Sequence, residues 1–148
     1  MQTYIKYSLN YHHKKNPILC CLADQMNITS SEKWNSSDVL NSIFGMLESD
    51  EKAFEGQFQL ISKEKWMEKM RASEAFYYHH PEKEMKWQEE LLFSLSAKAL
   101  KRQIIAIPFL ENGSKMSFGI ERSCQKSLFL MHCTSIRYKN FFISIIPL

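Results

Sequence analysis

Hydrophobic residues recur at steps of three and four positions in four segments of the chain, and this periodicity predicts four helices. The predicted helices begin at or near Pro17, Ser36-Ser37-Asp38, Ser62 and Trp87. The first covers residues 17–27, and the last, which has the clearest period, covers residues 87–102. Proline suits the first turn of a helix, where its missing N–H would have no partner, and Ser and Asp side chains cap helix starts.

After residue 102 the pattern changes to short apolar runs rich in β-branched and aromatic residues, which favour strands. Three strands are predicted, at residues 103–107, 127–131 and 141–146, with a turn at residues 111–114 and a loop over residues 71–86. Helices first and strands last indicate an α+β fold, in which helices flank a small sheet of mixed strand directions. A length of 148 residues corresponds to a single domain, residues 1–148.

The composition is that of an ordinary globular protein, with 45% hydrophobic and 24% charged residues. The formal net charge of +3 is too small a surplus to indicate nucleic acid or an anionic membrane as a partner. No apolar run approaches the ~20 residues that span a bilayer, and the first residues lack the apolar core of a signal peptide. We therefore expect a soluble protein of the cytosol or the nucleus.

The four cysteines are not spaced as metal ligands; they are Cys20, Cys21, Cys124 and Cys133. No C-x-x-C spacing occurs, and the adjacent pair His79-His80 lies far from any cysteine in the chain. Adjacent cysteines rarely bond to each other, so we expect reduced thiols, and we expect neither a metal nor a cofactor.

Residues 14–25 read Lys-Lys-Asn-Pro-Ile-Leu-Cys-Cys-Leu-Ala-Asp-Gln. This segment resembles the first helix of the ovarian-tumour (OTU) cysteine proteases, which are ubiquitin-cleaving thiol hydrolases. In that family the helix begins with Asp-Gly-Asn-Cys and ends near Leu-Ala-Asp-Gln. The further segments that resemble the family follow in its order, at residues 40–47, 53–55, 65–70, 87–100, 104–107, 128–131 and 137–140. The resemblance spans residues 8–146 and implies an OTU-like, papain-like α+β fold.

The positions that carry the chemistry depart from the family. Counted back from Gln25, the nucleophile falls on Pro17 and the acid of the first motif on Lys14. The catalytic imidazole falls on Arg137, which stays protonated, and the group that orients it falls on Lys139. A thiol hydrolase needs a thiolate, an adjacent base and an orienting group together. The resemblance therefore implies an inactive OTU-like domain that serves as a protein-interaction module and binds ubiquitin or a ubiquitin-like protein.

Two alternatives stay open from the sequence. The chain could be an active cysteine-dependent deubiquitinase that uses Cys20 or Cys21 with His132, although those thiols are one turn inside the helix and buried cysteines commonly act as small hydrophobic residues. The cations that would meet at the former cleft could instead bind nucleic acid or an acidic peptide; they are Lys14, Lys15, Arg137 and Lys139.

Overall fold

The computed structural model describes residues 4–7, 15–50, 54–74, 76, 84–108, 115–120, 125–133 and 141–147. The helices in these ranges are α1 (Pro17–Thr29), α2 (Ser36–Ser49), α3 (Lys63–Ala72) and α4 (Glu84–Leu100). The strands are β1 (Tyr4–Tyr7), β2 (Ile104–Pro108), β3 (Met116–Phe118), β4 (Leu128–Cys133) and β5 (Phe141–Pro147). All four predicted helices and all three predicted strands are confirmed, with ends that differ from the expected ones by a few residues.

The strands form one mixed sheet in the order β1-β5-β4-β2-β3. The central pair, β2 and β4, is parallel, with Ile104 beside Leu128 and Ala106 beside Leu130. The other three pairs are antiparallel. In the chain, residues 115–120, which contain β3, and residues 125–127 come between β2 and β4. The two parallel strands are therefore neighbours in the sheet but not consecutive in the sequence. The predicted α+β class, with helices beside a small sheet of mixed directions, is confirmed.

The helices pack together and against the sheet through a common apolar core. Helix α1 contacts both β4 and β5, α2 packs on α1 and α4, and α4 also contacts β3. The largest fully buried side chains come from helices and strands alike: Trp66, Ile18, Leu19, Leu22, Ile43, Leu47, Met70, Leu92, Leu95, Ile104, Leu128 and Leu130. Helical and strand residues therefore share one buried cluster.

Gln25 joins α1 to the sheet through three hydrogen bonds made by a fully buried side chain. Its Nε2 donates to Ser144 Oγ at 2.6 Å and to the Ile145 carbonyl oxygen at 2.8 Å. Its Oε1 accepts from the Phe129 N–H at 2.9 Å. Because both ends of the amide are bonded, this side chain holds α1 in register with β4 and β5.

The start of α2 corrects the predicted cap. The cap residue is Asn35, whose Oδ1 accepts from the Asp38 N–H at 2.9 Å, while Asp38 Oδ2 accepts from the Asn35 N–H at 2.9 Å. Ser36 and Ser37 lie inside the helix. The Asn35 amide and the Asp38 carboxylate, three residues apart, each accept a hydrogen bond from the backbone N–H of the other, so two donors at the helix start are satisfied. The serines between them do not make this cap. The Ser62 cap of α3 is confirmed, with its Oγ accepting from the Lys65 N–H at 3.2 Å.

The apolar pattern of the sequence does not predict two of the strands, β1 and β3. β1 has four residues and β3 three, and each lies at an edge of the sheet. A three-residue strand shows too little alternation to be recognised, and the exposed residues of β3 do not form an apolar run. The predicted turn at residues 111–114 lies outside the described residues, as do residues 75 and 77–83 of the predicted loop over residues 71–86. The two ends of that loop, residues 71–72 and 84–86, are helical.

Helix α4 ends on a residue with left-handed backbone geometry. Lys101 has φ 55°, and the next residue, Arg102, donates its N–H to the Ala97 carbonyl oxygen at 3.1 Å, which is the pattern of a Schellman motif. A residue with a side chain pays about 1–2 kcal/mol to adopt this conformation, and glycine does not. Glycine also gives the unfolded chain more freedom, which offsets part of that advantage.

Replacing Lys101 with glycine is therefore expected to stabilise the fold by about 0.5–1 kcal/mol. Urea unfolding followed by circular dichroism measures this difference. The matched control is Lys98→Gly, an exposed position inside the same helix, which should destabilise by about 1 kcal/mol. A Lys101→Gly variant that loses as much as Lys98→Gly would contradict the assignment of the helix end.

Candidate functional site

The N-terminus of α1 is closed by the residues at its own start. Asn16 precedes the helix in an extended conformation, and its Oδ1 accepts from the Ile18 N–H at 2.9 Å and the Leu19 N–H at 3.2 Å. Pro17 is the first helical residue, as predicted, and its side chain has no nucleophile. Asn16 is buried, so the first turn is capped inside the protein.

A carboxylate from a distant part of the chain lies at this helix end. Glu74 Oε1 accepts from the Asn16 N–H at 3.3 Å, and its Oε2 accepts from Ser37 Oγ at 3.4 Å. Lys15 Nζ is 3.7 Å from the same Oε2, and the Glu74 side chain is only 10% exposed. We call Lys15, Asn16, Cys20, Ser36, Ser37 and Glu74 the Glu74 cluster. The positive end of the α1 dipole favours a negative charge here, so Glu74 supplies that charge from within the chain.

Cys20 lies in this cluster, one turn into α1. Burial raises the pKa of its thiol, and the negative charge of Glu74 raises it further, while a hydrogen bond with Ser36 and the charge of Lys15 act in the opposite direction. The net direction is upward, so Cys20 is a thiol near neutral pH. Because the thiolate is the nucleophilic form, this environment does not activate Cys20.

Cys21 faces the other way and is fully buried in the apolar core. Cys20 and Cys21 are both present as thiols. The environment of Cys21 corresponds to the interpretation of a small buried residue. Reactive cysteines are typically partly exposed in electropositive surroundings. Cys20 is partly exposed but lies beside the Glu74 carboxylate, and Cys21 is buried.

A cavity of about 600 Å³ opens beside Glu74, between α2 and the end of α3. Leu40, Phe44 and Met70 form its apolar part. Arg71 stands at its edge, with its guanidinium 4.7 Å from the centre of the Phe44 ring and in an ion pair with Glu48. Lys15, Ser37 and Glu74 are also in the wall, so this cavity and the Glu74 cluster are continuous.

The other predicted site residues are only partly placed. His132 lies in β4, where its backbone is in register with Phe142 of β5 and Pro108 of β2. This confirms that the residue is inside a strand. Lys14, Arg137 and Lys139 lie outside the described residues. The predicted grouping of these three cations with Lys15 therefore stays a prediction. Of the expected cleft, the described part therefore contains Lys15 and Pro17.

Glu74 is the site residue that the sequence did not reveal. It follows α3 in a segment without periodicity and is 58 positions from Asn16, its hydrogen-bond partner. The sequence predicts caps at Ser36 and Ser37, and the structure instead places these side chains beside Cys20 and Glu74. No local motif announces these contacts, because only the packing of α2 and α3 on α1 creates them.

Among the described residues, no three His, Cys, Asp or Glu side chains are grouped as ligands for a metal ion. The same residues include no helix with the length and apolar character needed to cross a membrane. A scan against protein-family models, a search of curated proteins and a search of solved structures each give no significant match to this chain.

Proposed function

We propose that this chain is an OTU-like domain without hydrolase activity, which serves as a protein-interaction module for ubiquitin or a ubiquitin-like protein in the cytosol or nucleus. The observation that carries the proposal is the start of α1. Where a thiol hydrolase needs an activated thiol, the chain has Pro17, a capping amide and the Glu74 carboxylate. A second negative charge, such as a thiolate, would be repelled from this position.

The two thiols of α1 support the same proposal. The pKa of Cys20 is raised, and Cys21 is enclosed in the core. The arrangement of elements is compatible with the resemblance, since α1 precedes the other helices, β2 follows α4 after three residues, and β4 and β5 are adjacent antiparallel strands. The partner rests on the resemblance alone, because a fold does not determine a function.

The test uses ubiquitin that carries an electrophile at its C-terminus. We expect no covalent adduct at Cys20 or Cys21 of the natural chain, because burial and Glu74 raise the pKa of Cys20 and because Cys21 is enclosed in the core. We expect a slow adduct with the Pro17→Cys variant, since the proposed alignment brings the ubiquitin tail to position 17. The adduct should form faster in Pro17→Cys/Glu74→Gln, because removing the repelling carboxylate leaves the helix N-terminus to lower the pKa of the thiol. Mass spectrometry locates the modified residue, and Cys20→Ser in the Pro17→Cys background separates the two thiols.

Binding without chemistry is measured separately, by titrating isotope-labelled ubiquitin with the full chain in an NMR experiment. Saturable shifts confined to one surface of ubiquitin are the expected result. An adduct of the natural chain at Cys20 or Cys21 would instead support the active alternative with His132. No shifts and no adduct with Pro17→Cys would reject ubiquitin as the partner, and a parallel titration with ubiquitin-like proteins completes the comparison.

A further inference from the structure

The cavity beside Glu74 has the dimensions of a site for a small organic molecule. Its volume of about 600 Å³ lies within the range of about 300–1,000 Å³ that is common for ligand pockets. One wall is a face of α2, where Ser37, Leu40, Asn41 and Phe44 recur at steps of three and four positions. At a rise of 1.5 Å per residue, this wall is about 10 Å long. An aromatic ring with a short aliphatic arm fits such a length.

The two ends of this cavity differ in the charge that they offer to a ligand. At the Ser37 end, the Glu74 side chain is only 10% exposed, accepts from Ser37 Oγ and is paired with Lys15. At the Phe44 end, Arg71 has a side chain that is 51% exposed, and it belongs to the cavity wall. The carboxylate of the cavity is therefore engaged within the chain, while a guanidinium at the other end remains accessible to a ligand.

Arg71 keeps hydrogen-bond donors for a ligand although it already contacts two side chains. Its contact with the Phe44 ring, 4.7 Å from the ring centre, is a cation–π interaction, which does not require an N–H. Its Nη2 donates to Glu48 Oε1. A guanidinium has five N–H donors, so others remain for a second carboxylate. The pair with Glu48 is about half exposed on both sides, and pairs of this kind are weak, so Glu48 is a modest competitor.

We propose that this cavity binds a small organic carboxylate, whose apolar body lies along α2 against Leu40 and Phe44 and whose carboxylate contacts Arg71. Charge-assisted hydrogen bonds from the guanidinium orient the ligand, and burial of its apolar body adds affinity. An organic cation fits less well, because the wall carries two cations and one carboxylate, and that carboxylate already has Lys15 as its partner. The proposal goes beyond the proposed function and does not depend on it, because the ligand is held by Arg71 of α3 and not by position 17.

The probes are 4-phenylbutanoate and 4-phenylbutylamine, which share an apolar body and carry opposite charges. Each is titrated into the isotope-labelled full chain and followed by the NMR shifts of the backbone amides. We expect saturable shifts with the carboxylate, concentrated at residues 37–44 and 70–74, and no saturable shifts with the amine. Arg71→Gln should weaken binding of the carboxylate about fivefold, and Glu48→Gln should tighten it about threefold, because Arg71 then loses its competing partner. A gain of affinity cannot arise from damage to the fold.

The matched control is Lys69→Gln, which removes one positive charge from an exposed position of the same helix, outside the cavity wall. It should keep the affinity for 4-phenylbutanoate within about twofold. Equal weakening in Lys69→Gln and Arg71→Gln would show diffuse attraction to the charge of α3 and overturn the proposal. Absence of saturable shifts with the carboxylate, equal binding of the amine, or an unchanged affinity in Glu48→Gln would overturn it as well.

Discussion

Replacing Gln25 with leucine is expected to destabilise the fold by about 3–5 kcal/mol, although the two side chains have similar volumes. The amide makes three hydrogen bonds in a fully buried place, two as donor and one as acceptor. Leucine would leave the Phe129 N–H and the Ile145 carbonyl oxygen facing an apolar side chain. Each buried polar group that loses its partner costs about 1–3 kcal/mol.

Urea unfolding of the full chain measures this loss, and Gln59→Leu is the control because Gln59 is exposed. The control should change stability by no more than about 0.5 kcal/mol. A loss below about 1 kcal/mol for Gln25→Leu would show that water or another group replaces the amide, and would contradict the role assigned to it.

A second substitution at this position predicts a pH dependence. In Gln25→Glu the new carboxyl faces the Ile145 carbonyl oxygen, which the natural amide N–H approaches to 2.8 Å. Only a protonated carboxyl can donate there, so its pKa in the folded state lies above the value of about 4.3 in the unfolded chain. The folded state then binds more protons between these two pKa values, so the stability of this variant, relative to the natural chain, falls as pH rises through that window.

The elements that the sequence predicted correctly are those with long, regular patterns. The four helices have apolar residues on one face over ten or more residues each, and the central strands are short runs of buried residues. The edge strands β1 and β3 were missed because an edge strand is defined by its neighbour in space and not by a pattern of its own. The same reason applies to the Asn35 cap, since Ser, Asn and Asp in one run are all good caps and only the geometry chooses among them.

The sequence predicts that the candidate site lies at the start of α1, but it does not predict the contacts within that site. Pro17 at the first helical position follows from local chain properties, which a sequence displays. The contact between Asn16 and Glu74 joins two segments 58 positions apart, and no local property encodes it. Gln25 lies between these cases: its place in the Leu-Ala-Asp-Gln segment is visible in the sequence, while its bonds to β4 and β5 exist only once the sheet has formed.

Trp66 provides the second large effect, and its two substitutions differ for a physical reason. The ring is fully buried between Phe44 and Phe58, with centroids at 6.2 and 5.6 Å and tilted rings. Trp66→Ala is expected to cost about 3–5 kcal/mol, because it removes this packing and leaves a cavity at the centre of the helical layer. Differential scanning calorimetry and urea unfolding measure the loss.

Trp66→Phe is expected to cost less than about 1.5 kcal/mol, although it also removes volume. The indole Nε1 of Trp66 is buried and has no hydrogen-bond partner among the described residues. Phenylalanine keeps an aromatic ring between Phe44 and Phe58 and removes that unsatisfied donor, so the relief of its desolvation offsets part of the lost packing. A Trp66→Phe variant as unstable as Trp66→Ala would mean that the indole N–H does bond, to water or to a residue outside the described part. The hydrogen bond would then be the main contribution of Trp66, with ring packing second.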